Sequence, residues 1–129
     1  MKNIIQKCAV FMMVGIVVML VGCSNKPADI SDETYRIGKM AVETVDQYID
    51  AAIAAEEAES KLERYDDLLD RESENEELSE LESIKASRLA LSCLLISHDI
   101  GRNDISGGRL DDIIKERNSM AEVLEIEER

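Results

Sequence analysis

A long internal stretch of this chain contains no residue that breaks a helix. Between Lys39 and Ile100 there is neither glycine nor proline, while alanine, leucine, glutamate, lysine and arginine are abundant. These residues have the highest helix propensities, and their small preferences add up over a window of this length. The stretch also lacks the apolar–polar alternation that is typical of a strand. The sequence therefore predicts an all-α fold.

The first predicted helix is long. It begins after Ser31, whose hydroxyl is a good N-cap, and it runs over residues 32–70. Its apolar and small residues recur three or four positions apart, which places them on one side of the helix. At 1.5 Å per residue, this helix would measure about 58 Å.

Two shorter predicted helices follow an acidic turn and a glycine-containing loop. In the turn, the pair Ser73–Glu76 has the spacing of a capping box. The second helix spans about residues 76–97, and its apolar run at 89–96 is expected at the centre of the bundle. The third helix spans about residues 109–127. We expect a small three-helix bundle, one long helix plus an antiparallel helical pair, as a single domain over residues 32–129.

The predicted lengths leave the start of the first helix uncovered. The shorter helices measure about 30 Å each, roughly half of the long helix. Either the loop over residues 98–108 folds onto the uncovered section, or another chain does. An exposed apolar cluster of this kind marks an interaction site. The candidate interaction surface consists of Tyr35, Ile37, Met40, Val42 and Val45.

The amino-terminal residues have the layout of a secretory signal. Lys2 and Lys7 precede an apolar run over residues 8–21 that holds no charged residue. This run is shorter than the roughly 20 residues that a helix needs to cross the hydrocarbon core, and it fits the apolar region of a signal peptide. The motif Leu20-Val21-Gly22-Cys23 follows, and it resembles the lipobox of bacterial lipoproteins.

The resemblance to bacterial lipoproteins covers residues 1–24 and implies a lipid anchor. It implies that residues 1–22 are a cleaved signal peptide and that the Cys23 thiol carries a diacylglyceryl group. From their composition, the residues that follow Cys23 are expected to be a polar linker, so that residues 23–31 comprise the lipidated cysteine and this linker. Several acyl chains hold a protein at a membrane stably, because each buried methylene adds about 0.8 kcal/mol. Ser24 stands where the family places Asp as its inner-membrane retention signal. The expected location is therefore extracytoplasmic, on the outer leaflet of the plasma membrane or on the outer membrane. The alternative is an uncleaved membrane helix.

The chain is strongly acidic. Lys and Arg number 15 against 28 Asp and Glu, a formal net charge of −13, and removal of residues 1–22 with their two lysines and no acid makes it −15. Such a charge repels phosphate backbones and anionic lipid headgroups, which excludes nucleic-acid binding. We expect membrane contact through the Cys23 lipid, and either an envelope protein partner or self-association.

Residues suited to catalysis or metal binding are scarce. Cys93 would be the remaining thiol after processing, and its apolar surroundings predict a buried, unreactive side chain without a disulfide. His98 is the single histidine. On a helix it points about 140° away from Cys93, so the two cannot act as nucleophile and base. The loop over residues 98–108 lacks the ligand spacing of an EF-hand. We predict no catalytic residue, no metal site and no cofactor.

The sequence thus predicts a location and a fold class more sharply than an activity. The leading hypothesis is a lipid-anchored, extracytoplasmic helical lipoprotein that acts as a protein-interaction or accessory module at the bacterial cell envelope. The alternative hypothesis is a carrier for a small apolar ligand, with its site between helices. That site would be lined by the small residues of the first helix and by the apolar run at 89–96.

Overall fold

Four helices account for most of the chain that the structure describes. The computed structural model describes residues 26–102 and 107–129, and these contain helices and turns without a strand. The helices are α1 (Asp32–Ile49), α2 (Ala55–Ser73), α3 (Glu80–Gly101) and α4 (Gly107–Leu124). The all-α prediction is confirmed for these ranges. The predicted signal helix and Cys23 lie outside them. None of the four helices combines the length and the hydropathy needed to cross a membrane.

The single long helix predicted over residues 32–70 is wrong, because the chain reverses after Ile49. The amide of Asp50 still bonds to the Asp46 carbonyl at 2.9 Å, but Ala51 has a φ of 58°. That left-handed conformation ends the helix, and the Ala52 amide closes the turn on the Gln47 carbonyl at 2.7 Å. The three-helix count is therefore corrected to four over the described residues.

The second helix boundary also lies later than the capping-box prediction. Ser73 is the last residue of α2, and the capping box is formed by Ser79 and Glu82 instead. The Glu82 amide donates to Ser79 Oγ at 3.2 Å, and the Ser79 amide donates to Glu82 Oε1 at 3.0 Å. The predicted span 76–97 is thus shifted by about one helical turn. The third predicted helix, over 109–127, is observed as α4.

The four helices pack as a bundle in which chain neighbours lie side by side. The longest interface joins α2 to α3, while α1 contacts α2 and α4, and α3 contacts α4. Gly38 permits the close approach of α1. A Cβ atom there would lie 2.9 Å from Leu124 Cδ2 and 3.2 Å from Leu89 Cδ1. A larger residue at this position would require the side chains of Leu124 and Leu89 to shift.

The described residues enclose a hydrophobic core of their own. Its buried side chains come from all four helices and from Ile30, which lies in the segment predicted as a polar linker. Ser31 caps α1 as predicted, by accepting a hydrogen bond from the Thr34 amide at 3.1 Å. The Ser31 hydroxyl also reaches Glu72 Oε1 at 3.2 Å, and Lys85 Nζ donates to the Ala28 carbonyl at 2.9 Å. The start of α1 is therefore held beside the α2–α3 turn. The largest fully buried aliphatic side chains are Ile30, Ile37, Val45, Leu62, Leu69, Leu89, Ile96, Met120 and Leu124.

Candidate interaction surfaces

The predicted interaction surface on α1 is mostly core. Ile37, Val42 and Val45 are buried, at 1%, 3% and 0% exposure, while Tyr35 and Met40 are partly buried. The prediction that the start of the first helix is uncovered is therefore wrong, and the reason is the reversal after Ile49. Because α1 is a short helix, the other three helices are long enough to cover its apolar side.

A surface groove nevertheless lies beside α1. It has a volume of about 790 Å³ and lies between α1 and the segment after α4, with Tyr35, Met40, Val42 and Ile126 among its apolar residues. Its rim carries both signs of charge. Arg36 pairs with Glu33, and Lys39 Nζ lies 5.0 Å from the centre of the Tyr35 ring. Cations and anions on the rim balance each other, so the groove has no clear preference for a charged ligand.

One end of this groove is closed by a cluster of paired charges. Arg117 is nearly buried and holds Asp46 with two hydrogen bonds, Nε to Oδ1 at 2.9 Å and Nη2 to Oδ2 at 3.1 Å. Arg129 bonds to the same carboxylate at 3.2 Å and to Asp50 Oδ1 at 2.6 Å. Its guanidinium lowers the pKa of Asp50. Each charge here has an opposite partner, so the cluster fastens the last residues to α1.

The second surface is the outward side of α3, which we call the α3 stripe. It consists of Leu81, Ile84, Leu91 and Leu95, whose exposures are 53%, 48%, 55% and 44%. At 3.6 residues per turn these four side chains fall on one side of the helix, about 180° from the buried side chains of α3. The run at 89–96, predicted as the bundle centre, is therefore divided between the core and the solvent.

The spacing along the α3 stripe is that of a helix-packing seam. From Leu81 the intervals alternate between three and four residues, through Ile84, Arg88, Leu91 and Leu95, and end at His98. This is the a and d pattern by which one helix packs along another. Among the described residues no helix covers it. This surface was not predicted from the sequence, because the buried residues of α3 show the same 3–4 spacing: Ala86, Leu89, Cys93, Ile96 and Ile100.

An acidic groove borders the α3 stripe at the carboxyl end of α3. It has a volume of about 560 Å³, and Leu94 and His98 of α3 form one side of it. The α2 side carries four carboxylates, and Arg102 is the cation in the lining. Burial, and then the negative charges of Asp70 and Asp67, raise the pKa of Asp66 in this groove. The four carboxylates belong to Glu59, Glu63, Asp66 and Asp67.

The structure places the two candidate catalytic groups apart. Cys93 is fully buried, and burial raises the pKa of its thiol to about 12. The prediction of a buried thiol with little reactivity at neutral pH is confirmed for burial and pKa. His98 is exposed on the outward side of α3. Within residues 26–102 and 107–129, no group of three His, Cys, Asp or Glu side chains is arranged to hold a metal ion.

Comparison with known proteins adds no relative. No family model, no curated protein and no solved structure matches this chain.

Proposed function

We propose that this chain is a lipid-anchored, extracytoplasmic lipoprotein that serves as a non-enzymatic protein-interaction module at the bacterial cell envelope. The anchor is supported by Lys2, Lys7, the apolar run over residues 8–21 and the Leu20–Cys23 motif. The run is too short for a spanning helix. Lipid on Cys23 supplies the membrane attachment, which leaves the apolar surface of the folded domain available for another role.

The exposure of the α3 stripe is the observation that best supports the proposed interaction function. Complete burial of a Leu or Ile side chain is worth roughly 1.5–3 kcal/mol, so four half-exposed side chains retain several kcal/mol of burial that a partner can supply. Contiguous apolar patches on otherwise polar proteins mark interaction sites. The buried side of α3 already satisfies the fold, so the stability of the domain does not require a second apolar side.

The attachment geometry suits a partner that lies alongside the bundle. The Ser31–Glu72 hydrogen bond holds the start of α1 beside the end of α2, and the Lys85–Ala28 hydrogen bond holds the segment before α1 beside the start of α3. A tether that enters at Lys26 would therefore place Leu81 nearest the membrane. The α3 stripe would then extend outward from the membrane to Leu95, over about 21 Å at 1.5 Å per residue.

The groove beside α1 supports a second candidate function, a carrier for a small apolar ligand. The site first expected for such a carrier is filled, because Ala41, Ala58, Leu89 and Ile96 pack together in the core. The groove lined by Tyr35 and its apolar neighbours has a volume within the range of small-molecule sites. A fluorescent fatty acid that binds the folded domain, and is displaced when Met40 is changed to Gln, would support this role.

The lipid anchor is tested by replacing Cys23 with Ser in cells labelled with a clickable fatty acid. We expect the substituted chain to lose the label and to leave the membrane fraction. An uncleaved membrane helix would instead keep the chain in the membrane without label in either form, and that result would rule out the lipoprotein assignment.

The interaction role is tested in intact cells by a photo-crosslinking amino acid at Leu91. We expect a discrete adduct with an envelope protein that disappears when Leu95 is changed to Gln. The matched position is Glu43, which is exposed on α1 and lies outside the α3 stripe. An adduct pattern that is the same at both positions, or that survives the change at Leu95, would remove the α3 stripe as the docking surface.

A further inference from the structure

We infer that the partner segment covering the α3 stripe is an amphipathic helix whose apolar side is flanked by Lys or Arg on the edge that faces α2. The inference rests on the proposed interaction function and specifies the chemistry of the partner. Shape argues for a helix and charge argues for a basic edge.

The shape argument comes from the spacing of the exposed side chains. The 3–4 intervals from Leu81 to Leu95 form a straight ridge, and a second helix laid along it would insert its own a and d side chains between them. About four helical turns would cover this length. An extended segment would instead bind through backbone hydrogen bonds to the edge of a sheet. The described residues contain no strand that could offer such an edge.

The charge argument comes from the two edges of the α3 stripe, which differ. On the α4 side, Lys85 and Arg88 share a shallow depression with Glu122 and Glu125, so positive and negative groups balance. On the α2 side, the acidic groove opens directly beside Leu94. A helix that packs on the α3 stripe would therefore lie between a neutral edge and an acidic edge.

The crowding of the acidic edge favours a cationic occupant. Glu59, Glu63, Asp66 and Asp67 face Arg102 and His98 as the basic groups of the lining. Partial burial, and then the negative charges of Asp70 and Asp67, make ionisation of Asp66 less favourable and raise its pKa. A Lys or Arg from a partner would relieve this repulsion in a partly desolvated setting, where ion pairs are stronger than in water. Complementary charge of this kind sets which partner binds and in which orientation.

A second copy of the chain fits the α3 stripe less well. Without residues 1–22 the chain carries a net charge of −15, so two processed copies repel each other. Membrane anchors would orient two copies in parallel, and a parallel pairing places Arg88 against its own copy at a core position of the seam. Each copy would also leave its acidic groove without cations.

The test uses three synthetic helical peptides of about three heptads. The first has Leu at a and d and Lys at e and g, the second replaces every Lys by Glu, and the third scrambles the first so that charge is kept and the apolar side is lost. The protein is the fragment from Ser24 to Arg129, because the core between Ile30 and Leu124 is complete within it. Binding is measured by fluorescence anisotropy at low and at physiological salt, with circular dichroism as the check of folding.

Three double variants separate the contributions. Leu91→Gln with Leu95→Gln removes the apolar anchor, and Glu63→Gln with Asp67→Asn removes two exposed groove carboxylates. The charge-matched control is Glu43→Gln with Glu128→Gln, because both side chains are exposed and neither lines the acidic groove. The control and the groove variant thus have the same net charge.

We expect the Lys peptide to bind at least about tenfold more tightly than the Glu and scrambled peptides, the factor that 1.4 kcal/mol produces. The stripe variant should lose at least about tenfold, since central anchors dominate interface energies. The groove variant should lose several-fold. At physiological salt the control should stay within about twofold, because the Debye length of about 8 Å screens distant charges there.

Equal binding of the Lys and Glu peptides, or equal losses in the groove variant and its control, would overturn the basic-edge inference. So would dimerisation of the fragment, detected by sedimentation, that the stripe variant abolishes. These results would leave the proposed function standing if the crosslink at Leu91 in cells persists. An adduct pattern at Leu91 that is the same as the pattern at Glu43 would instead show that the α3 stripe is not the docking surface.

Discussion

Ala51 holds a backbone conformation that glycine adopts with least strain. Its φ of 58° lies in the left-handed region, where the Cβ of an L-residue crowds the following carbonyl. The turn persists because it allows α1 to bury Ile37 and Val45, and because Arg129 bonds to the adjacent Asp50. The packing of the molecule thus outweighs a local preference at one residue.

We therefore expect Ala51→Gly to stabilise the domain. Relief of the left-handed strain should exceed the entropic cost of glycine in the unfolded chain, for a net gain of about 0.5–1 kcal/mol. The measurement is urea unfolding of the fragment from Ser24 to Arg129. Ala52 is the matched control, because it is exposed in the same turn without a positive φ. A gain at Ala52 equal to that at Ala51 would contradict the strain explanation.

The ionised side chain of Asp66 lowers the stability of the folded domain. Burial, together with Asp70 and Asp67, raises its pKa above the ordinary value of 3.8. The folded state therefore binds this proton more tightly than the unfolded state does. The resulting stabilisation is present below pH 3.8 and is lost as the pH rises through the folded pKa. At neutral pH the ionised Asp66 side chain is a net liability.

Asp66→Asn is expected to raise the melting temperature by a few degrees at pH 7 and to leave it unchanged near pH 3. The amide keeps the shape of the side chain and removes the charge that repels Asp67 and Asp70. Thermal unfolding at several pH values measures the difference. Asp67→Asn, at an exposed position in the same groove, should give a smaller gain. A gain for Asp66→Asn that is the same at both pH values would contradict the titration argument.

At the scale of elements, the burial of the apolar side chains in α1 and α3 is the reverse of what their sequences predict. The apolar residues of α1 were expected on the surface, and Ile37 and Val45 are buried. The apolar run of α3 was expected at the centre, and Leu91 and Leu95 are half exposed. Buried and exposed apolar residues can therefore be compared by the same substitution in the two helices.

Changing Ile37 and Val45 to Gln should abolish folding at room temperature. Removal of a buried aliphatic side chain costs about 2–5 kcal/mol, and two such losses approach the whole stability of a small domain. The same change at Leu91 and Leu95 should alter the free energy of unfolding by about 0.5 kcal/mol or less, as at other surface positions. Circular dichroism and urea unfolding distinguish the pairs. Unfolding of the α3 variant would show that the stripe is core.

The helix content, the N-cap at Ser31 and the burial of Cys93 could be predicted because each depends on nearby residues. The break at Ala51 could not, since no glycine or proline marks it in the sequence and the contacts beside it, such as Asp50 with Arg129, join residues far apart in the chain. The division of the run at 89–96 could not be predicted either. A helix that is apolar all round carries no periodicity that identifies its buried side.

At the scale of the whole molecule, the Asp46–Arg117–Arg129 cluster joins α1, α4 and the segment after α4. Arg117 also donates from Nη1 to the Glu127 carbonyl at 2.7 Å, so one side chain connects all three parts. Its side chain is 7% exposed, and that of Asp46 is 28% exposed. The pair is thus largely shielded from water, unlike the exposed pair of Arg36 and Glu33.

Arg117→Ala should destabilise the domain by about 2 kcal/mol, less than the 3–5 kcal/mol of a fully buried pair because water still reaches Asp46. The control is Arg36→Ala, which removes an exposed ion pair and should cost at most about 1 kcal/mol. Urea unfolding measures both. Equal small effects would show that Arg117 does not hold the segment after α4.

The two apolar sides of α3 also concern how the molecule reaches its native state. Rotated by half a turn, α3 would bury Leu91 and Leu95 against α2 and expose Leu89 and Cys93. Such a state would be compact and apolar inside, and we expect it to compete with the native bundle while the chain condenses. The exposed apolar side chains of α3 therefore give this helix two orientations in which it could first pack on the bundle.

Cys93 distinguishes the two orientations, because its thiol is buried in one and exposed in the other. In refolding experiments with pulses of an alkylating reagent, we expect Cys93 to become protected later than helix forms. With Leu91 and Leu95 changed to Gln the rotated state loses its apolar interior, and protection should coincide with helix formation. The exposed apolar side chains of α3 would then slow folding without lowering the free energy of unfolding.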